Sequence, residues 1–214
     1  MSDDPTHVRE FFGARAADWD SRFPDDGPAY AAAVQELGLH PGDAVLDAGC
    51  GTGRALPPLR AAVGPTGTVL GADLTPEMLA QAVLAGRGGP NAVSDESGHG
   101  GTDGTATLLL ADVGRLPVRD GALDAVFGAG LVSHLADPVA DLRELARVVR
   151  PGGRLALFHP IGRAALAARH GRQITPDDLR AEPQLRPVLA EAGWRLVSYV
   201  DEDARYLALA VREA

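Results

Sequence analysis

The chain has 214 residues, 45% hydrophobic and 23% charged, with a formal net charge of −9; that length suits one sizeable core and is short for two, so a single domain over residues 1–214 is expected. No apolar run approaches the roughly 20 residues that cross a bilayer, so no membrane partner is expected. The acid excess brings no basic cluster able to displace phosphate counterions, which disfavours nucleic acid as a partner.

Hydrophobic period and punctuation alternate between helix and strand along the chain. Residues 1–40 read as a helical N-terminal cap whose clearest helix is 29–37, closed by Gly38 and followed by the turn Pro41-Gly42. A short apolar strand over 44–47 runs into glycines. The next helix, 54–63, carries Pro57 and Pro58, and proline is comfortable only in a first turn, so that helix should start late or be distorted. A second strand, 68–72, ends at Asp73, and Thr75 is placed to cap a helix over 76–84 with Pro76 at its first position.

Residues 86–105, rich in glycine and polar side chains, read as a flexible surface loop. A third strand over 106–110 closes at Asp112, and a fourth spans 123–127. Asp137 caps a strong helix over 138–149, Pro151-Gly152-Gly153 ends it, and a fifth strand covers 154–158. A further helical stretch opens at Thr175, is interrupted by Pro183 and Pro187, and ends at Gly193. The segments 194–200 and 206–211 are joined too tightly for a crossover helix, so they should pair antiparallel. The expected fold is α/β: a Rossmann-like doubly wound sheet of five parallel strands plus a C-terminal antiparallel hairpin, with helices on both faces.

Several chemistries drop out on residue type alone. All twenty basic residues are Arg, which removes Schiff-base chemistry, a pyridoxal phosphate anchor and a P-loop lysine. The single Cys50 permits no intrachain disulfide and no multi-cysteine metal site, and no metal is expected. The opening MSDDPTHVRE is acidic and polar, unlike a secretory signal, so a cytoplasmic protein is expected.

The informative segment is Val45-Leu46-Asp47-Ala48-Gly49-Cys50-Gly51-Thr52-Gly53-Arg54. A strand feeds a glycine-rich turn, so backbone comes close to a ligand at the strand's carboxyl end. A dinucleotide fingerprint needs a third small residue where this chain has Arg54. Asp47 stands two residues ahead of Gly49; a carboxylate does not suit a pyrophosphate but does suit a cation such as a sulfonium or an amine. The string resembles the first motif of the class I S-adenosylmethionine-dependent methyltransferases, and further landmarks over about residues 8–160 follow in the family's order. They are Asp73-Leu74, Leu110-Ala111-Asp112-Val113, the segment from Leu123 to Ala129, the helix and turn from Leu142 to Gly153, and Arg15-Ala16-Ala17-Asp18-Trp19-Asp20.

The resemblance implies S-adenosylmethionine as cofactor, with Gly49 and Gly51 in the turn and Asp47 on the ligand's side. It implies that Asp73 accepts from both ribose hydroxyls and that Leu74 touches the adenine. Asp112 would meet the adenine amino group, with Val113 flanking the ring, and the backbone near Ala129 would hold the methionine end. Trp19 would fold over the cofactor, where the family commonly has Tyr. Asp47 as a turn cap, Asp73 as a turn acid, and Trp19 as plain core remain open alternatives.

His134, just beyond the fourth strand, is the candidate catalytic base; capping the next helix or merely lining the pocket is the alternative. His159, at the end of strand five, is a second candidate, whereas His7, His40, His99 and His170 read as surface residues. The expected reaction is methyl transfer to a small-molecule acceptor by a monomer or homodimer, the acceptor meeting residues 1–40 and 159–182. A non-catalytic S-adenosylmethionine-binding regulator and a nicotinamide-dependent oxidoreductase are the competing readings. The second is opposed by Arg54 and by the lack of a Tyr-x-x-x-Lys pair.

Overall fold

The computed structural model describes residues 5–22, 26–89 and 106–214. In chain order its elements are α1 (Pro5–Gly13), α2 (Gly27–Leu37), β1 (Ala44–Ala48), α3 (Leu56–Val63), β2 (Thr68–Asp73), α4 (Pro76–Leu84), β3 (Gly88–Gly89), β4 (Ala106–Leu110), β5 (Leu123–Ala129), α5 (Pro138–Val148), β6 (Val149–His159), α6 (Arg163–Arg169), α7 (Glu182–Glu191), β7 (Trp194–Glu202) and β8 (Arg205–Arg212). Three single 3-10 turns, Ala16–Asp18, Asp20–Arg22 and Val132–His134, connect them. None of the described helices is long and apolar enough to cross a membrane.

All eight strands form one sheet in the order β3-β4-β2-β1-β5-β6-β8-β7. The neighbours from β3 to β6 pair in parallel. The C-terminal hairpin is antiparallel, and its second strand, β8, inserts between β6 and β7. The five expected parallel strands and the hairpin are therefore present. Their apolar residues feed two cores, one on each face. Leu142, Leu145, Leu185 and Leu189 of α5 and α7 pack against one face. Val34 and Leu37 of α2 and Leu56 and Leu59 of α3 pack against the other. Central strands sandwiched in this way read as continuous apolar runs, as Val45-Leu46 and Ala125-Val126-Phe127 do.

Local details depart from expectation in four places. The loop expected over 86–105 lies outside the described residues from 90 onward, and Gly88-Gly89 belongs to the sheet, pairing with Ala106 and Thr107. Lack of side chains is no obstacle there, because Leu108 occupies the space that a Cβ on Gly88 would need. No helix opens at Thr175: Asp178 spends its carboxylate on the backbone and guanidinium of Arg180, and α7 starts only at Glu182. The short α6 has no capping side chain at Gly162 and escapes pattern reading. Thr75 does precede α4 but makes no side-chain cap. Helix α3 starts late, at Leu56, so both prolines fall in its first turn as their chemistry requires.

The hairpin is anchored by Trp194, fully buried, whose indole N–H donates to the Leu142 carbonyl at 2.8 Å. Trp194→Phe keeps most of the buried ring but removes that donor, at a cost of about 1–3 kcal/mol. The expected result is a midpoint for thermal unfolding lowered by roughly 2–10 °C, measured by circular dichroism with a two-state fit.

Candidate active site

Strand order reverses at β1, whose neighbours β2 and β5 lead to opposite halves of the sheet, and a crevice outside the carboxyl ends of the strands is the geometric result. A cavity of about 1060 Å³ opens there. Trp19, Asp47, Gly49, Gly51, Asp73, Leu74, Asp112, Val113, Ala129 and His134 all line it, as does His159. Residues spread over 140 positions of sequence are thus brought to one space. A single ligand site commonly occupies about 300–1,000 Å³, so this one has room for a donor and an acceptor together.

The glycine turn is the first thing the fold builds there. Gly49, Gly51 and Gly53 have φ of 69°, 53° and 78°, a region that L side chains enter only with strain. Their N–H groups are already committed. Gly49 and Cys50 donate to the Ala72 carbonyl at 2.8 and 3.0 Å, and Gly53 donates to Cys50 at 2.8 Å. Gly51 donates to Asp73 Oδ2 at 2.8 Å. The first turn of α3 adds nothing for an anion: Leu56 N–H donates to the Gly53 carbonyl, and Pro57 and Pro58 have no N–H. A pyrophosphate is recognised by just such donors, and here those of Gly49, Cys50, Gly51 and Gly53 are spent.

Asp73 also accepts from the Thr75 N–H at Oδ1, 2.8 Å. A carboxylate has about four lone-pair positions, so after these two bonds Asp73 still has acceptor capacity on the cavity. Burial raises its pKa, partly offset by the backbone donors Thr75 and Gly51. Asp47 is 1% exposed, and its Oδ1 has no hydrogen-bond partner among the described residues. Burial, then the negative charge of Asp73, pushes its pKa up to about 8. A buried carboxyl group without a partner fits a ligand that brings a positive charge, the character of the sulfonium and amine of S-adenosylmethionine.

Asp112 is exposed and accepts from Gly114 N–H at 2.9 Å through Oδ1, a local turn that leaves its other oxygen available. His134 sits on the Val132–His134 turn, edge-on to Phe12 with centroids 5.0 Å apart. Capping of α5 falls to Asp137, which accepts from Ala140 N–H. Phe12 also meets Trp19 edge-on at 5.4 Å, so α1 lays an aromatic group between the two predicted residues. His159 Nδ1 lies 2.8 Å from the Ile161 carbonyl, and burial, followed by the charge of Arg180, lowers its pKa.

Several lining residues gave no signal in the sequence, among them Phe12, Tyr30, Met78 and Asp141. The fastening of the N-terminal cap is likewise a product of the fold. Asp20 accepts from the Thr52 hydroxyl at 2.6 Å and from Arg87 Nη1 at 2.5 Å, and Arg87 donates to the Thr52 carbonyl at 2.9 Å. Arg54 pairs with Asp26 at 3.4 Å. Arg54, which argues against a dinucleotide by its position, turns out to hold the cap.

Comparison with known proteins agrees with this geometry. Residues 46–157 match the family described as "Methyltransferase domain". A ubiquinone/menaquinone biosynthesis C-methyltransferase of Pseudomonas fluorescens is 30% identical over 205 residues, covering 83% of this chain and 75% of that protein. An uncharacterized 37.1 kDa protein in a transposon of Streptomyces fradiae is 39% identical over 127 residues, covering 59% of this chain; the chain spans only 33% of its length. The crystal structure of an S-adenosylmethionine-dependent methyltransferase from Aquifex aeolicus superposes with a TM-score of 0.66 at 23% identity, over 100% of both chains. The chain belongs to the class I S-adenosylmethionine-dependent methyltransferase family, whose cofactor is S-adenosylmethionine.

The buried Asp47 makes a pH prediction. Its folded pKa lies above the ordinary value of 3.8, so between those values the folded state binds the extra proton and stability falls as pH rises. Ligand-free protein should lose thermal stability steadily from pH 5.5 to 8.5. Asp47→Asn should flatten that slope and raise the midpoint at pH 8 by on the order of 5 °C, read by differential scanning calorimetry.

Proposed function

We propose that this chain transfers the methyl group of S-adenosylmethionine to a small-molecule acceptor. The observation that carries the reading is the pairing of an unpartnered buried Asp47 with a glycine turn whose amides are already used. That combination suits a cationic cofactor and disfavours a pyrophosphate, which weighs against the nicotinamide alternative. In this reading Asp47 faces the cofactor's positive end and Asp73 accepts from the ribose hydroxyls. Leu74 and Val113 enclose the adenine, Asp112 accepts from its amino group, the backbone at Ala129 supports the methionine portion, and Trp19 covers it. The bound sulfonium supplies an activated methyl group, so the protein's own task is alignment and exclusion of water.

The aromatic cap of Phe12 and Trp19 provides the cover. His134 is the proton acceptor where the acceptor presents a hydroxyl or phenol. The name of the Pseudomonas fluorescens relative, a quinone-biosynthesis enzyme, and the cavity's capacity for a second molecule beside the cofactor support a small-molecule acceptor.

Calorimetric titration with S-adenosylmethionine should give saturable binding, and NADH should give none; the reverse pattern overturns the assignment. Asp73→Ala should weaken S-adenosylmethionine binding by roughly 10- to 100-fold, the loss of one or more bonds to a charged acceptor, while the far-ultraviolet circular dichroism stays native. Methyl-labelled cofactor incubated with a metabolite extract should place label in the small-molecule fraction; label in protein alone, or none, speaks for a different acceptor or a binder.

A further inference from the structure

Charge is sorted along the cavity wall. Asp47, Asp73 and Asp112 stand at or just beyond the ends of β1, β2 and β4, and Asp141 joins them from α5. From the end of β4 to the end of β6 is four strand spacings, about 19 Å; beyond β6 the lining carries Arg169, Arg172 and Arg180, while Arg15, Arg22 and Arg54 line the cavity from the cap and the glycine turn. The acids near these arginines are engaged. Asp178 accepts from Arg180 Nη2 at 2.9 Å and lies 3.6 Å from Arg163, which is held in turn by Asp201 at 2.9 Å. Two arginines and two aspartates make that cluster neutral. Asp26 is taken by Arg54. Arg169, the last residue of α6, and Arg172, just beyond it, have no carboxylate partner among the described residues.

Uncompensated cations in a chain of net charge −9 create a local field of the opposite sign to the rest of the molecule, and cavity walls concentrate such a field. The same end of the cavity is apolar between the charges. Leu166 and Ile174 line it, and Ile174 is 51% exposed. Apolar side chains among the lining suit the hydrocarbon part of a ligand.

Building on the methyltransferase reading, we infer that the acceptor is an amphipathic anion, its apolar body against Leu166 and Ile174 and its carboxylate or phosphate held by Arg169 and Arg172. Arginine is suited to either group because its planar fork donates two parallel N–H bonds. The acidic half of the cavity repels such a molecule and accepts the cationic cofactor, so one electrostatic gradient orients both.

Naphthalene probes test this by their own fluorescence. 2-Naphthoate, 2-naphthyl phosphate and 2-naphthamide are titrated into the full chain saturated with S-adenosylhomocysteine at low ionic strength. At least one of the two anions should bind ten-fold or more tightly than the neutral amide, and which of them does so identifies the group. In the double variant Arg169→Gln/Arg172→Gln the preference should fall to within about two-fold, with S-adenosylhomocysteine affinity unchanged. Equal affinity for all three probes, no binding of any, or a preference that survives in the double variant overturns the inference. S-adenosylhomocysteine is titrated separately, so its failure to bind counts against the methyl-donor reading alone.

Discussion

Two carboxylates at neighbouring strand ends organise this protein. Asp47 lies in β1 opposite Gly71, and Asp73 ends β2 two residues further on. Asp73 ties the Gly51 amide and the Thr75 amide to itself, joining the glycine turn after β1 to the start of α4. Asp47 receives no such support at Oδ1 and is buried beside it. Isolated, an ionised acid in that position is unfavourable, and the nearby Asp73 makes it more so. Burial and Asp73 therefore favour the protonated form of Asp47 in the ligand-free fold, and the proposed cationic ligand would favour the ionised one.

The remainder of the architecture places this pair where a ligand can reach it. Because β1 is central, with β2 on one side and β5 on the other, the strand ends form a crevice rather than a flat edge. Short parallel strands buried on both faces give it rigid walls. The N-terminal cap supplies the cover, fastened by two ion pairs of which one, Asp20 with Arg87, reaches across 67 positions of sequence to the edge of β3. Both pairs are partly buried, and α2 adds apolar packing through Val34 and Leu37.

Electrostatic sorting connects the composition to the site. An acidic surface with arginine as its only cation would be expected to distribute its positive charge in ion pairs, and Arg147, Arg150, Arg163 and Arg180 do so. Others donate to backbone carbonyls instead, as Arg60 does to Gly67, Arg154 to Leu37 and Arg143 to Glu191. In the proposed reading, the acids at the β4–β1 end of the cavity suit the cofactor, and Arg169 and Arg172 beyond β6 suit an anionic acceptor.

The five main parallel strands, the terminal hairpin and the glycine turn were legible in the amino-acid sequence, and the residues expected beside the cofactor all line the cavity. Each depends on short-range rules: apolar runs bounded by glycine and proline, and acids placed immediately after strands. Asp47, Asp73 and Asp112 could be found because strand ends converge once strands lie parallel. The helix at Arg163–Arg169 was not legible, since seven residues without a cap leave no periodic signal, and Thr175 misled because its neighbour Asp178 is drawn off by Arg180 and Arg163. The two-residue strand Gly88–Gly89 has no side-chain signature at all and exists only through the backbone of β4. Tertiary structure alone decided which turn amides were free, which arginines found partners, and that Phe12 stands between Trp19 and His134. Those outcomes are set by contacts between residues far apart in the chain, where distance in space owes nothing to distance in sequence.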